Sequence, residues 1–437
     1  MLKHSVPSET PVDSPAEQAS GLDDDKISVY FDTFGRPHSL YRELLECPPP
    51  GVGFVCPVNL DKGLAASFRS INLTKLFAWE ILNGIAPPSL AMSIFGTRSR
   101  RPQDCRLTYS TGHLVFRDEN WIVDCEHLGQ FAGYNPRALR TFIRLISKRL
   151  ENDNCQRILP WSKMAYETIR RNVGTRKILE KTQIVRLARR ATPINRTSRE
   201  HTEILFVGSV NFPSILTQGQ RSVLEGISRF TGICSFASHE NFESKGGREV
   251  FEVFSLLSRQ YDRLRLTVRA KGPPDIRARY GANPNIRIVE NPVSPKELDK
   301  MFLDADIFLF PSHMSPGMAF LDAMNYELPT VTIAACNNAE IVQHGKTGFV
   351  CATSERVPYW HANGLPAGNT FDHIKAIHTP DHDVVTNLAS HVRMLIEDEA
   401  LRTRMGREGK RLVETGEFSI NHRNRALREI IEQTLHR

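Results

Sequence analysis

The sequence predicts an α/β protein of two Rossmann-like domains, each a parallel sheet with helices on both faces. Three observations carry this. Apolar strand-length runs alternate with amphipathic helix-length segments. The alternation lapses over the basic, Pro193-containing segment 186–199 and then restarts with greater clarity. And 437 residues is too long for one ordinary domain. The expected division is a polar, disordered tail over 1–25, a first domain over 26–190, a second over 200–415, and a C-terminal helix over 416–437 able to cross back to the first.

Residues 27–31 (ISVYF) read as a strand entering the loop Asp32-Thr33-Phe34-Gly35-Arg36-Pro37, and 39–45 as a helix. Residues 51–58 are a second strand, 107–116 (LTYSTGHLVF) a strand or hairpin about Gly112, and 121–125 (WIVDC) a strand. An amphipathic helix over 137–151, a short buried strand over 157–161 and a helix over 163–171 follow. Past the linker, 204–207 is a strand. Over 247–259, Val250, Phe251, Val253, Phe254 and Leu257 share one helical face. Strands are expected at 264–268 and 286–289. Ser294 followed by Glu297 is the signature of a capping box at a helix start. Strands at 306–310 and 330–334 complete the sheet, and 384–414 and 424–435 read as long amphipathic helices. Residues 211–244 fit this rhythm badly and read as an insertion between the first strand and first helix of the second domain.

Composition narrows the function classes. No run of about 18 apolar residues is present, so no membrane-spanning helix is expected. The N-terminus lacks the apolar segment of a secretory signal. The cysteines number eight and are scattered without a CxxC pair. That argues against a zinc ribbon or redox motif and for buried thiols in a reducing cytoplasm. No HxH, HExxH or DxD stands in a metal-binding context, so neither metal nor cofactor is expected. The net charge of +7 suits an anionic partner: a phosphate-bearing ligand, an acidic glycan or an anionic lipid surface. Mild basicity with no partner is the bland alternative. The clusters Arg98, Arg100, Arg101 and Arg186, Arg189, Arg190 read as solvated faces. No aromatic interleaving accompanies them, so nucleic acid is not expected as a partner.

One stretch says more than the rest. From Ile307 the chain reads IFLFPSHMSPGMAFLDAMNYELPTVTIAACNNAEIVQHGKTGFV. An apolar strand runs into a Pro/Ser/Gly loop, and a helix opens near Gly317 or Met318. Small residues let backbone amides approach a ligand, and the first turn of a helix presents unpaired N–H donors. Strand, loop and helix start together make a phosphate-binding place. Asp322 lies on that helix, within reach of the sugar of a bound nucleotide.

These residues resemble the retaining nucleotide-sugar glycosyltransferases of family 4, which have the GT-B fold: two Rossmann-like domains whose parallel sheets face across a cleft. The family pattern runs roughly P-S-x-x-E-G-F-G-x-x-x-L-E-A-M-x-x-G-x-P-V-V, then G-G-x-x-E-x-V-x-x-G-x-T-G. Pro311, Ser312, Gly317, Leu321, Ala323, Met324, Pro329, Val331, Glu340, Val342, Gly345, Thr347 and Gly348 fall into place. The segment KGGREVFEVFSLL is similar to the family's K-G-x-x-x-L-x-A-F-x-x-L. The resemblance covers about 203–435; over 27–180 it is one of topology only.

The resemblance implies site residues, one position at a time. Gly208 ends the first strand of the second domain, in the loop that leads to the donor phosphates. Lys245 matches the family's phosphate-contacting lysine; a solvated surface lysine is the alternative. The family's arginine is absent, and Ser209 stands in its place. Val293, in the loop Glu290-Asn291-Pro292-Val293, matches the position that meets the nucleotide base. Gly317, Met318 and Ala319 offer amides to phosphate. Asp322 replaces the second family glutamate, which accepts hydrogen bonds from ribose. The first family glutamate, near the transferred sugar, is missing: Met314 or Ser315 holds its place. In the first domain His127 follows WIVDC as the family's histidine does, with Glu126 beside it as a backup acid; a structural histidine in a turn is the alternative. Gly35 corresponds to the glycines set against the donor phosphate.

The implied activity is retaining transfer from a nucleotide diphosphate sugar, UDP- or GDP-linked, to a glycan, lipid-linked or small-molecule acceptor. No metal takes part. Any membrane contact is peripheral, and the sequence leaves the oligomeric state open. Two other readings stand beside it: a catalytically silent GT-B binding or scaffold subunit, which Ser209, Met314 or Ser315 and the insertion at 211–244 favour, and another GT-B enzyme such as a sugar epimerase.

Overall fold

The structure is a computed structural model that describes residues 26–33, 39–57, 82, 87–95, 101–196, 199–208, 226, 242–315, 317–368 and 370–436. Gly35, Arg98, Arg100, the tail over 1–25 and most of the expected insertion lie outside the described residues.

The first domain holds a five-stranded parallel sheet: β1 (Ile27–Asp32), β2 (Val52–Val55), β3 (Leu107–Thr111), β4 (Trp121–Cys125) and β5 (Cys155–Pro160), in the order β2-β1-β3-β4-β5. Strands β3 and β4 are buried along their whole length, as a sheet covered on both faces requires. Its described helices are α1 (Ser39–Glu46), α2 (Pro88–Phe95), α3 (Pro136–Glu151), α4 (Lys163–Val173) and α5 (Arg176–Lys181). Asn135, Ser162 and Thr175 cap the last three through their side chains.

The second domain holds six parallel strands: β6 (Thr202–Val207), β7 (Leu264–Arg269), β8 (Ile286–Ile288), β9 (Ile307–Leu309), β10 (Thr330–Ile333) and β11 (Gly348–Cys351). Their order is β11-β10-β9-β6-β7-β8. The helices are α6 (Gly247–Leu257), α7 (Pro274–Tyr280), α8 (Pro295–Asp304), α9 (Met318–Asn325), α10 (Asn338–Ile341), α11 (Phe371–Ile377), α12 (His382–Glu397), α13 (Glu399–Glu414) and α14 (Ile420–Leu435). From β6 the chain winds to β7 and β8, then returns to β9 on the other side of β6. That reversal opens a crevice outside the carboxyl ends of β6 and β9, where ligands bind in open α/β sheets. The first sheet reverses in the same way between β1 and β3.

Three expectations are corrected. The helix expected over 384–414 is two helices, because Asp398 leaves the helical conformation and its carboxylate accepts from Leu401 N, starting a new helix. Of the strand or hairpin expected over 107–116, the strand forms, but it is shorter, Leu107–Thr111, and stops before Gly112 (φ 69°). And of the cluster expected as a solvated face, Arg190 is exposed as expected, but Arg186 and Arg189 are partly buried in ion pairs. Arg186 pairs with Glu417 (2.7 Å) and Arg190 with Glu46 (3.0 Å), while Arg189 bridges Glu43 of α1 and Asp322 of α9 (Nε 2.9 Å). The basic linker is the ionic joint between the domains.

Helix α14 crosses back. Leu427, Ile430 and Ile431 pack into one cluster with Val29, Phe31, Ile122 and Leu159 of the first sheet. Arg423 and Asn424 hydrogen-bond the Cys47 carbonyl at 2.6 and 3.1 Å.

Candidate active site in the interdomain cleft

Two loops meet outside β6 and β9. The first, 242–247, ends in Lys245-Gly246-Gly247 at the start of α6. The second runs from Pro311 to Gly317. His313 N donates to Ser244 O (3.0 Å), which ties them together. Gly246 makes the approach possible. It sits at φ 81°, and a Cβ there would lie 2.4 Å from the Pro311 carbonyl oxygen. Beneath, the buried His313 reaches Glu249 of α6 (3.0 Å) and Tyr359 (2.8 Å), so the second loop rests on a neutralised polar core.

Lys245 makes no hydrogen bond to a described residue. Burial pushes its ammonium down, while the Glu126 carboxylate and the Cys336 thiol pull it back up. It therefore stands as a half-buried cation at the cleft, held by no hydrogen bond to a described residue and facing the Glu126 carboxylate of the other domain. Gly317 caps α9 at φ 50°, against Leu187 of the linker, and Met318 and Ala319 follow as the first turn. Gly208 closes β6 by donating to Arg269 O (2.8 Å) and accepting from the Arg269 guanidinium (2.7 Å). Val293 lies half-buried ahead of Ser294, whose expected capping box with Glu297 is present.

Across the cleft, His127 caps the short 3-10 helix Leu128–Ala132. Its Nδ1 accepts from Gly129 N (3.1 Å), so the ring proton sits on Nε2. Gly129 is required there, because a Cβ would lie 2.7 Å from the imidazole. Burial, and then His361, lower His127 to about 4, so it is a neutral donor at ordinary pH.

A cavity of about 160 Å³ lies between the domains. Glu126, His127 and Tyr134 face it from the first domain, Met314, Ser315 and Cys336 from the second. Pro366 and Gly368, from the loop after β11, close one side. That loop straps the domains: Leu365 packs into the first-domain core, and Asn172 donates to Asn363 O (3.1 Å). Glu340 of α10 adds a second tie. Its carboxylate accepts from Lys163 N and Met164 N, both at 2.7 Å, and so caps α4 of the other domain. Among the described residues, three non-glycine residues have positive φ, and two of them, Tyr134 (61°) and Cys336 (48°), line this cavity. Backbone strain of this kind gathers at functional sites.

The structure thus brings His127, Lys245 and the Met314–Ser315 position to one cleft. It sets Asp322 apart, at the joint. Burial raises the Asp322 carboxyl to about 6, with Arg189 pulling it down. Sequence reasoning missed Tyr134, Cys336 and the capping role of Glu340. Cys336 stands at the first glycine of the family's G-G-x-x-E pattern and keeps a left-handed backbone, the one signal that could have flagged it.

The comparisons agree with the fold. The model of the family described as "Glycosyl transferases group 1" matches residues 230–359. No curated protein matches the sequence. Sucrose-phosphate synthase from Thermosynechococcus elongatus superposes with a TM-score of 0.57 at 13% identity, covering 94% of this chain and 99% of that one. HepE from Anabaena, crystallised with UDP-glucose, gives 0.52 at 13% identity over 93% and 99%. WaaG, a glycosyltransferase involved in lipopolysaccharide biosynthesis, gives 0.51 at 13% over 92% and 99%. The chain therefore has the GT-B fold, and its residues 230–359 are similar to the group 1 glycosyl transferases.

Proposed function

We propose that the protein is a retaining glycosyltransferase that moves a sugar from a nucleoside diphosphate donor, UDP- or GDP-linked, to a glycan, lipid-linked or small-molecule acceptor without a metal. The observation that carries this is Lys245. It is a half-buried cation that makes no hydrogen bond to a described residue, its backbone locked by Gly246 against the loop that opens α9, at the crevice where the strand order reverses. A partly desolvated ammonium costs stability, and a bound diphosphate offsets that cost.

The residues divide the donor between them. Lys245 and the first-turn amides of α9 take the diphosphate. The loop at Val293 meets the base. As the anomeric C–O bond breaks, its electron pair passes to the diphosphate, and Lys245 stabilises that growing charge. His127 Nε2–H donates to a hydroxyl of the transferred sugar. Glu340 and the strap hold the cleft closed, which limits loss of the sugar to water. Cytoplasmic residence, with any membrane contact peripheral, belongs to the same reading; no described helix is long and apolar enough to cross a membrane.

Titration calorimetry with nucleoside diphosphates tests it, followed by NMR of the product anomer. Micromolar binding and a retained anomer are expected; absence of binding by every nucleoside diphosphate overturns it. Met314 at the glutamate position favours the second reading, a silent scaffold. That reading predicts no thermal shift with any nucleotide sugar.

A further inference from the structure

The second domain lacks the carboxylate that the family pattern places beside the transferred sugar, since Met314 stands there. The cavity nonetheless contains a carboxylate, from the opposite wall. We infer that Glu126 of the first domain takes over that place and binds the hydroxyls of the transferred sugar. The inference rests on the glycosyltransferase reading above and deepens it.

Four observations converge on Glu126. It lines the same cavity as Met314, so the two side chains face one space. Its Oε2 accepts from Tyr134 OH at 3.0 Å, and its backbone N–H donates to Gln130 Oε1 at 2.7 Å, which fixes the start of its side chain. Tyr134 reaches it from a left-handed backbone (φ 61°) that few tyrosines adopt. The Lys245 ammonium and the Ser315 hydroxyl, both from the second domain, draw on its charge. Burial raises the Glu126 carboxyl above its ordinary value, while Tyr134, Lys245 and Ser315 draw it back down.

The chemistry fits a sugar ring. An ionised carboxylate accepts hydrogen bonds and donates none. Tyr134 takes one of its lone pairs and Ser315 lies within reach of the carboxylate, whose two oxygens together carry acceptor capacity for further donors in the cavity. Beside it on the same wall stands His127, with a donor N–H and no charge. A donor and an acceptor side by side on a cavity of about 160 Å³ suit neighbouring hydroxyls of one ring. Pockets for drug-sized ligands run to about 300–1,000 Å³, so the nucleoside diphosphate lies outside this cavity. The neighbouring Cys336 thiol is pushed up to about 12 by burial and takes no part as a nucleophile.

Glu126→Gln keeps the shape and removes the charge. Calorimetry with wild type and variant, using a nucleoside diphosphate alone and the matching nucleotide sugar, separates the contributions. The variant is expected to bind the diphosphate as wild type does, to lose about tenfold or more of the extra affinity contributed by the sugar, and to lose turnover alongside. Unchanged sugar affinity and turnover in Glu126→Gln overturn the inference. Failure of the wild type to bind any nucleoside diphosphate overturns the functional reading instead. Glu126→Gln combined with Met314→Glu returns a carboxylate from the other wall. Partial recovery of sugar affinity is expected, and no recovery overturns the exchange of one carboxylate for the other. Equal melting temperatures across the series show that the fold is intact.

Discussion

The domain joint and the cleft mouth are both built from charges contributed by both domains, yet they are wired differently. At the joint each charge has its partner: Glu43 and Asp322 flank Arg189, Arg186 meets Glu417, and Arg190 meets Glu46. At the mouth, Lys245 feels Glu126 but makes no hydrogen bond to a described residue, His127 is neutral with its ring proton on Nε2, and Tyr134 takes only part of the acceptor capacity of Glu126. A saturated cluster acts as a strut, because a ligand has nothing left to bind. An unsaturated cluster around a cavity is a receptor, whose missing partners the ligand supplies.

The largest effect that would break this comparison is at the joint. Arg189→Ala leaves Glu43 and Asp322 without their cation. Removing one partner of a fully buried pair costs about 3–5 kcal/mol; with Arg189 and Asp322 side chains 31% and 26% exposed, about 2 kcal/mol is expected. Urea unfolding reads this directly. A cost near zero would mean that the joint is no strut.

Lys245→Ala should do the reverse. Its loss removes a half-buried cation that makes no hydrogen bond to a described residue, so the melting temperature holds or rises. Nucleoside diphosphate affinity falls about 10- to 100-fold, the range of a charge-assisted hydrogen bond. Calorimetry beside thermal unfolding checks both; a destabilised variant with normal affinity would place Lys245 among the struts.

His127→Ala should lower turnover about tenfold with diphosphate affinity unchanged. The pH dependence of stability gives a second measurement. The folded chain holds His127 neutral down to about pH 4, while the unfolded chain protonates it below about 6.5. Between these values the unfolded state binds more protons, so this group costs stability as pH falls from 6.5 to 4. The variant should show a shallower loss there. Parallel curves for variant and wild type would remove the buried, neutral histidine.

The smallest expected effect is from chelation. With Lys245 and backbone amides taking the diphosphate charge, EDTA should leave turnover unchanged. A loss restored by a divalent ion would assign part of that charge to a metal.

The sequence was most legible where one short-range rule decides the outcome. Trp121–Cys125 reads as a strand because all five residues are buried, and Ser294 with Glu297 gives its capping box on sight. It was least legible where short elements or distant partners decide. Strand β11 is only Gly348–Cys351, and α7 (PDIRARY) buries just Ile276 and Tyr280 on a charged background. The break at Asp398 hides inside a continuous helical periodicity. The linker arginines read as solvated because their carboxylate partners lie far away in sequence: Glu43 is 146 residues from Arg189. The candidate site follows the same division. Lys245 and His127 sit in local patterns, whereas Glu126 acquires its meaning only when folding sets it against Met314 and Ser315.

Helix α14 carries a consequence for synthesis. The first domain's core is sealed by Leu427, Ile430 and Ile431, which leave the ribosome last among its parts. Early-emerging strands therefore wait through translation of the entire second half with an apolar flank uncovered, a window in which chaperones and aggregation compete for it. The two halves expressed as separate polypeptides would not behave as independent units unless that helix travelled with the first.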